Sequence, residues 1–100
     1  MFIIVIRMST QIDKNYADAA SLRMLSSQPK VVGAKQIRKA MNAGTAKQVF
    51  LARNADPAIT ESIEAACQQH NIAYAWVRSM TELGHVCGIE VGAAAAAIVA

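Results

Sequence analysis

The side chains best suited to bind a polyanion follow a single glycine. Lys35 and Gln36 come two and three residues after Gly33, and Lys39 lies one helical turn beyond Lys35. Lysine is a cationic donor, whereas glutamine offers both a donor and an acceptor to a base edge. If a strand ends at Gly33 and a helix begins at Ala34, the free amides of the first turn also favour phosphate. The same pattern fits an ordinary strand-to-helix turn with a solvated polar face.

A second candidate segment is framed by glycines at positions 84, 88 and 92. It contains Ile89, Glu90 and Val91 in a stretch that predicts a turn. Exposed apolar side chains in such a loop could support an unstacked base. The alternative is that Ile89 and Val91 are both buried in the core.

The charge is distributed unevenly along the chain, although the formal net charge is only +3. No acidic residue occurs between Asp18 and Asp56, and most of the basic residues fall in that stretch. Glutamates gather in the second half. This asymmetry indicates an anionic partner on one side of the molecule, although a soluble surface with scattered lysines is the simpler interpretation.

The predicted elements alternate between helix and strand. Apolar spacing and turn residues predict helices over residues 16–27, 34–43, 56–70 and 80–86, and strands over residues 30–32, 48–52 and 73–77. The alanine-rich segment 92–100 has helical propensity, but its position after three alternating units favours a central strand. We therefore expect a three-layer α/β/α sandwich with a four-stranded mixed sheet.

Residues 1–12 are expected to form an N-terminal extension, and residues 13–100 the folded domain. The apolar run at residues 2–6 is too short for a membrane span or a signal peptide. Either the natural chain starts at Met8, or residues 1–7 form an edge strand or a partner contact. Cys67 and Cys87 lie in apolar surroundings, which favours reduced thiols and a cytoplasmic protein.

Catalytic and metal-binding patterns are weak in this sequence. Cys67, three residues before His70, falls on the buried stripe of a predicted helix, and His85 and Cys87 lack the spacing of a zinc finger. Neither a GxGxxG motif nor a P-loop is present, and nothing pairs a nucleophile with a base. We therefore expect no enzyme activity, no metal site and no cofactor.

Three strings make the sequence similar to a known family: VVGAKQIRKA at 31–40, VFLARNADPAIT at 49–60 and SMTELGHVCGIEVGAAAAAIV at 79–99. They resemble the kink-turn-binding ribosomal protein family of the L-seven-Ae type, and are most similar to its small bacterial members. The resemblance covers about residues 13–99 in order and spacing.

The resemblance implies the same sandwich and a role in binding kink-turn RNA, which bends sharply at tandem sheared G·A pairs. The family's glycine turn and following helix enter the groove at those pairs, and its apolar loop covers the bulged nucleotides. The corresponding residues of the turn and helix are Gly33, Ala34, Lys35, Gln36 and Lys39. Those of the loop are Ile89, Glu90 and Val91.

One departure concerns Lys35-Gln36, where archaeal and eukaryotic members usually have Asn-Glu. Lys-Gln resembles the bacterial variant, and the change in charge affects affinity and base preference more than fold. Arg53 and Arg78 follow predicted strands and are candidates for extra phosphate contacts.

The implied partner is a kink-turn in ribosomal, riboswitch or other non-coding RNA, or the ribosome itself, bound by a monomer with no membrane association. The alternative function is a protein-interaction or ribosome-associated module without kink-turn specificity.

Overall fold

The computed structural model describes residues 15–100. The expected extension at residues 1–12, including the apolar run at residues 2–6, lies outside the described residues. Helices and strands alternate, as predicted, in the order α1 (Ala19–Ser27), β1 (Lys30–Val32), α2 (Ala34–Ala43), β2 (Ala46–Ala52), α3 (Pro57–His70), β3 (Ala73–Val77), α4 (Met80–Cys87) and β4 (Ala95–Val99).

The four strands form one mixed sheet in the order β1-β4-β2-β3. Strand β4 runs antiparallel to both β1 and β2, whereas β2 and β3 are parallel. The prediction that the alanine-rich segment is a central strand is confirmed, although the strand starts only at Ala95. Its buried alanines let helices approach both faces, and this packing outweighs their helical propensity.

Two helices cover each face of the sheet. Along β2, Phe50 and Ala52 belong to the core that includes Leu25 of α1 and Leu83 of α4. Val49 and Leu51 belong to the opposite core, together with buried residues of α2 and α3. This alternation follows from the two-residue period of a strand, and it confirms the three-layer sandwich.

Helix α1 is shorter than predicted, because Tyr16 is not helical. Tyr16 forms a parallel bridge with Trp76 of β3. The Trp76 N–H donates to the carbonyl of Asn15 at 2.7 Å, and the Ala17 N–H donates to the carbonyl of Trp76 at 2.8 Å. Residues 15–17 therefore extend the sheet beside β3, and α1 begins only after Asp18.

One end of the sheet collects the segments that the sequence singled out. Strands β1, β2 and β3 finish there and β4 begins there; we call it the Gly33 end. The Gly33 N–H donates to the carbonyl of Ala95 at 2.9 Å, and the Arg53 N–H donates to that of Val77 at 2.8 Å. Among residues 15–100, no helix has the length and apolarity needed to cross a bilayer.

Candidate nucleic-acid interface

Helix α2 begins at a backbone conformation that requires glycine. Gly33 has φ +98° and ψ 150°, a region that side-chain-bearing residues rarely adopt. Its N–H continues the sheet pairing to Ala95, whereas its carbonyl already accepts the first helical bond from Ile37 at 3.0 Å. The chain therefore turns from strand to helix within one residue, and Ala34 is the first helical position.

The N-terminus of α2 differs from those of the other helices in residues 15–100, because no side chain caps it. In the other three, a side-chain oxygen accepts a hydrogen bond from an amide of the first turn. The backbone N–H of Ser21 donates to the Asp18 carboxylate at 2.8 Å in α1, and that of Ala58 donates to the Asp56 carboxylate at 2.9 Å in α3. In α4, the backbone N–H of Glu82 donates to the Ser79 hydroxyl at 3.0 Å. The first-turn amides of α2 consequently remain available to an external acceptor.

The side chains around this terminus are basic or amide-bearing. Lys35, Gln36 and Lys39 are all exposed, and the first turn of α2 contains no acidic residue. The opposite side of the helix is anchored, because Ile37 and Met41 are buried against the sheet. The helix therefore presents a fixed cationic surface at its N-terminal half.

The loop at residues 88–94 lies directly on the backbone of α4. The helix ends at Gly88, which is left-handed, and the Ile89 N–H donates to the carbonyl of Gly84 at 3.0 Å. Gly84 is buried, and a methyl group added to it would overlap the carbonyl oxygen of Val91. A glycine at this position is therefore what allows the loop to pack so closely.

The two apolar residues of the loop have different environments. Val91 is 70% exposed, more than any other large hydrophobic residue among residues 15–100, whereas Ile89 is partly buried against the core. Glu90 between them is exposed. The sequence left open whether both apolar side chains point outward, and in the structure Val91 is largely exposed whereas Ile89 is not.

The two segments predicted to form one surface leave the sheet side by side. The loop leads into Ala95, whose carbonyl accepts the hydrogen bond from Gly33, and neighbouring strands lie about 4.8 Å apart. The start of α2 and the end of the loop are therefore adjacent at the Gly33 end of the sheet.

Sequence reasoning identified Arg53 and Arg78 but missed the tyrosine beside them. Both arginines are exposed and line a pocket with Tyr16, whose hydroxyl accepts a 2.8 Å hydrogen bond from Nη1 of Arg53. No local pattern could have revealed this contact, because Tyr16 is placed by its pairing with the distant Trp76.

The loop after β2 also supports the start of α4. The Asn54 side-chain oxygen accepts a hydrogen bond from the Met80 N–H at 2.8 Å. The carbonyl of Met80 in turn accepts one from the Ala93 N–H at 3.0 Å. The backbone of Met80 thus links the loop that follows β2 to the loop that follows α4.

The two thiols are poorly suited to chemistry. Burial raises the pKa of the Cys67 thiol to about 11, with a smaller contribution from Glu64, and burial also raises the pKa of Cys87. His70 and His85 are exposed. Within the described part of the chain, no three histidine, cysteine or carboxylate side chains cluster in a way that could hold a metal ion.

Residues 19–100 match the model of the ribosomal protein L7Ae/L30e/S12e/Gadd45 family. An RNA-binding protein of Bacillus pumilus is 41% identical over 76 residues, which are 76% of this chain and 93% of that protein. RNA-binding protein YbxF of Geobacillus stearothermophilus is 44% identical over 68 residues, 68% of this chain and 83% of that protein.

Among solved structures, the Giardia lamblia 15.5kD RNA binding protein superimposes with a TM-score of 0.73 at 29% identity, covering 85% of this chain and 78% of that one. The sequence matches and the fold agree with one another. The chain therefore belongs to the ribosomal protein L7Ae/L30e/S12e/Gadd45 family.

Proposed function

We propose that this chain is an RNA-binding protein that recognises kink-turns through the start of α2 and the loop at residues 88–94. The observation that carries the proposal is the N-terminus of α2, which has no side-chain cap and bears exposed Lys35, Gln36 and Lys39. RNA binding is also what the names of the two bacterial relatives and of the Giardia protein state for those proteins.

The start of α2 offers two kinds of contact to a bent RNA. Its open amides and helix dipole attract a phosphate, and the lysine side chains add positive charge. Gln36 can donate to one base and accept from another, as the edges of paired G and A require. Phosphate contacts would fix the orientation of the RNA, and the side-chain contacts to bases would supply the specificity.

The loop at residues 88–94 offers an apolar contact. Val91 is largely exposed and stands on a backbone fixed against α4, so it needs no rearrangement to meet a ligand. Bases that leave a helix at a bulge expose their faces, and apolar or aromatic side chains can cover them. We therefore assign the bulged nucleotides of the kink-turn to this loop.

The partner in this proposal is a kink-turn within ribosomal, riboswitch or other non-coding RNA. We propose that the protein binds it as a monomer in the cytoplasm and that it has no catalytic role. Its effect would be to favour the bent RNA over the extended one, because a ligand that binds one conformation more tightly shifts the population toward it.

A gel-shift titration can test kink-turn recognition with two RNAs of equal length. One contains a kink-turn, and in the other its tandem G·A pairs are replaced by Watson–Crick pairs. We expect binding in the nanomolar range for the first, weakening as salt is raised, and much weaker binding for the second. Equal affinity for both would contradict kink-turn specificity and favour a general ribosome-associated or protein-interaction module.

A further inference from the structure

A pocket of about 530 Å³ lies at the Gly33 end of the sheet, apart from the start of α2 and the loop at residues 88–94. We call it the arginine pocket. The residues that line it include Tyr16, Arg53, Arg78 and Glu82. None of these residues is part of the surface assigned to the kink-turn above.

The two arginines are brought together by the parallel pairing of β2 and β3. Ala52 is in register with Val77, so the residues that follow these strands are neighbours. Both arginines are exposed, and within residues 15–100 neither forms an ion pair with a carboxylate. The pocket therefore combines two guanidinium groups that have no carboxylate partner within this part of the chain.

Tyr16 positions one of these guanidinium groups. Its hydroxyl accepts the 2.8 Å hydrogen bond from Arg53, and its backbone is fixed beside Trp76 in the sheet. A guanidinium held in one orientation loses less conformational entropy when it binds, and its planar donors match the oxygens of a phosphate.

Among the described residues that line the pocket, Glu82 is the carboxylate. One negative charge against two positive charges leaves the pocket with an excess of positive charge. Glu82 therefore weakens the attraction for an anion without reversing it.

We propose that the arginine pocket binds a backbone phosphate of the same RNA that occupies the start of α2. This inference rests on the proposed function, because it extends the same surface. Three strand spacings separate Gly33 from Arg78, which is about 14 Å. The pocket would therefore receive a different backbone phosphate from the one bound at the start of α2.

The first test measures the affinities of Arg78→Gln, Arg53→Gln and Lys47→Gln for both RNAs described above across a range of salt. Lys47 is the matched control, because it is exposed near the start of β2, about 20 Å along the strand from Arg53. We expect each arginine variant to bind roughly ten-fold more weakly and to lower the salt dependence by about one released counterion. The Lys47 variant should bind as the parent does.

Two further variants separate the effect of the net charge of the pocket from the effect of the orientation of Arg53. Tyr16→Phe keeps both guanidinium groups but frees Arg53, so affinity should fall by a smaller factor with an unchanged salt dependence. Glu82→Gln removes the opposing charge, so binding should become tighter. Thermal melting of each variant establishes that the fold is intact before affinities are compared.

The second measurement uses kink-turn RNAs in which single phosphates are neutralised as methylphosphonates. One position should weaken binding to the parent protein but not to the Arg78 variant. If no position behaves in this way, or if the arginine variants bind like the Lys47 control, the pocket does not hold a phosphate.

The outcomes for the two proposals are distinct. Equal binding of the parent to both RNAs contradicts kink-turn recognition. The arginine pocket is then still tested, because a phosphate contact should be lost equally with either RNA. Conversely, kink-turn preference with no effect of the arginine variants overturns the pocket alone.

Discussion

Helices α2 and α3 lie on the same face of the sheet and begin at the same end, but their N-termini are built differently. At α3, the Asp56 carboxylate accepts the Ala58 N–H and Pro57 occupies the first helical position. At α2, Gly33 supplies only a turn, and within residues 15–100 no side chain caps the helix. The comparison shows that α3 caps one of its first-turn amides with its own side chain, whereas α2 has no such cap among the described residues.

The largest effect is expected when the side chains at the open terminus are removed. Lys35→Ala and Gln36→Ala should each cost about 1–3 kcal/mol of RNA-binding free energy, because each removes a direct contact. Glu61→Ala, on the exposed side of α3, is the control and should leave binding equal or slightly tighter. Fluorescence titration with kink-turn RNA measures all three. A similar loss in the Glu61 variant would remove the distinction between the two helices.

The next effect concerns the stability of the turn that opens α2. Gly33→Ala should destabilise the fold by about 1–3 kcal/mol, because alanine rarely adopts the glycine conformation found there. An added Cβ would meet no atom within 4 Å, so the cost is conformational and not a clash. Urea denaturation measures the free energy of unfolding. If the variant is as stable as the parent, the turn does not depend on glycine.

Removing the cap of α3 should have a smaller effect on stability. Asp56→Ala should cost about 1 kcal/mol, because the Ala58 amide loses its acceptor. Asp56→Asn keeps an acceptor and should retain most of the stability. Thermal unfolding of the two variants measures the difference. Equal stability of the alanine variant and the parent would show that the cap contributes nothing.

The smallest effect is the acid sensitivity of a second capped helix, α1. Hydrogen bonds from Ser21 hold the pKa of the exposed Asp18 carboxyl below its usual 3.8. Its stabilising contribution is therefore present above pH 3.8 and is lost as the pH falls through the lower folded-state pKa. Asp18→Asn should remove this part of the pH dependence in acid unfolding curves. An unchanged acid transition in the variant would contradict the role of this carboxylate.

Most of the fold was predictable because its elements have strong local patterns. The helix predicted over residues 34–43 ends at the next residue, Gly44, which is left-handed. The alanine strand had to be predicted from its position, since its own propensity favours a helix. Tyr16 was wrongly placed in a helix because its pairing with Trp76 joins residues 60 positions apart, and no window of sequence contains such a contact.

The candidate site was predictable to a lesser extent. Gly33 predicted the turn from strand to helix, and the four-residue spacing of Lys35 and Lys39 predicted that both lie on one side of the helix. The sequence did not decide between Ile89 and Val91, because in an irregular loop exposure depends on how the backbone folds onto α4. Whether these residues bind RNA remains a prediction that the variants above address.

Contact between Gly84 and the carbonyl of Val91 fixes the loop at residues 88–94 through main-chain atoms. The side chains of Glu90 and Val91 therefore contribute little to the path of the loop, and substitution there should leave its shape intact. Replacing Gly84 should instead displace the whole loop while every side chain on it is unchanged. Under the proposed function, preference for different RNAs can therefore diverge at positions 90 and 91 at little cost to folding, provided that position 84 stays small.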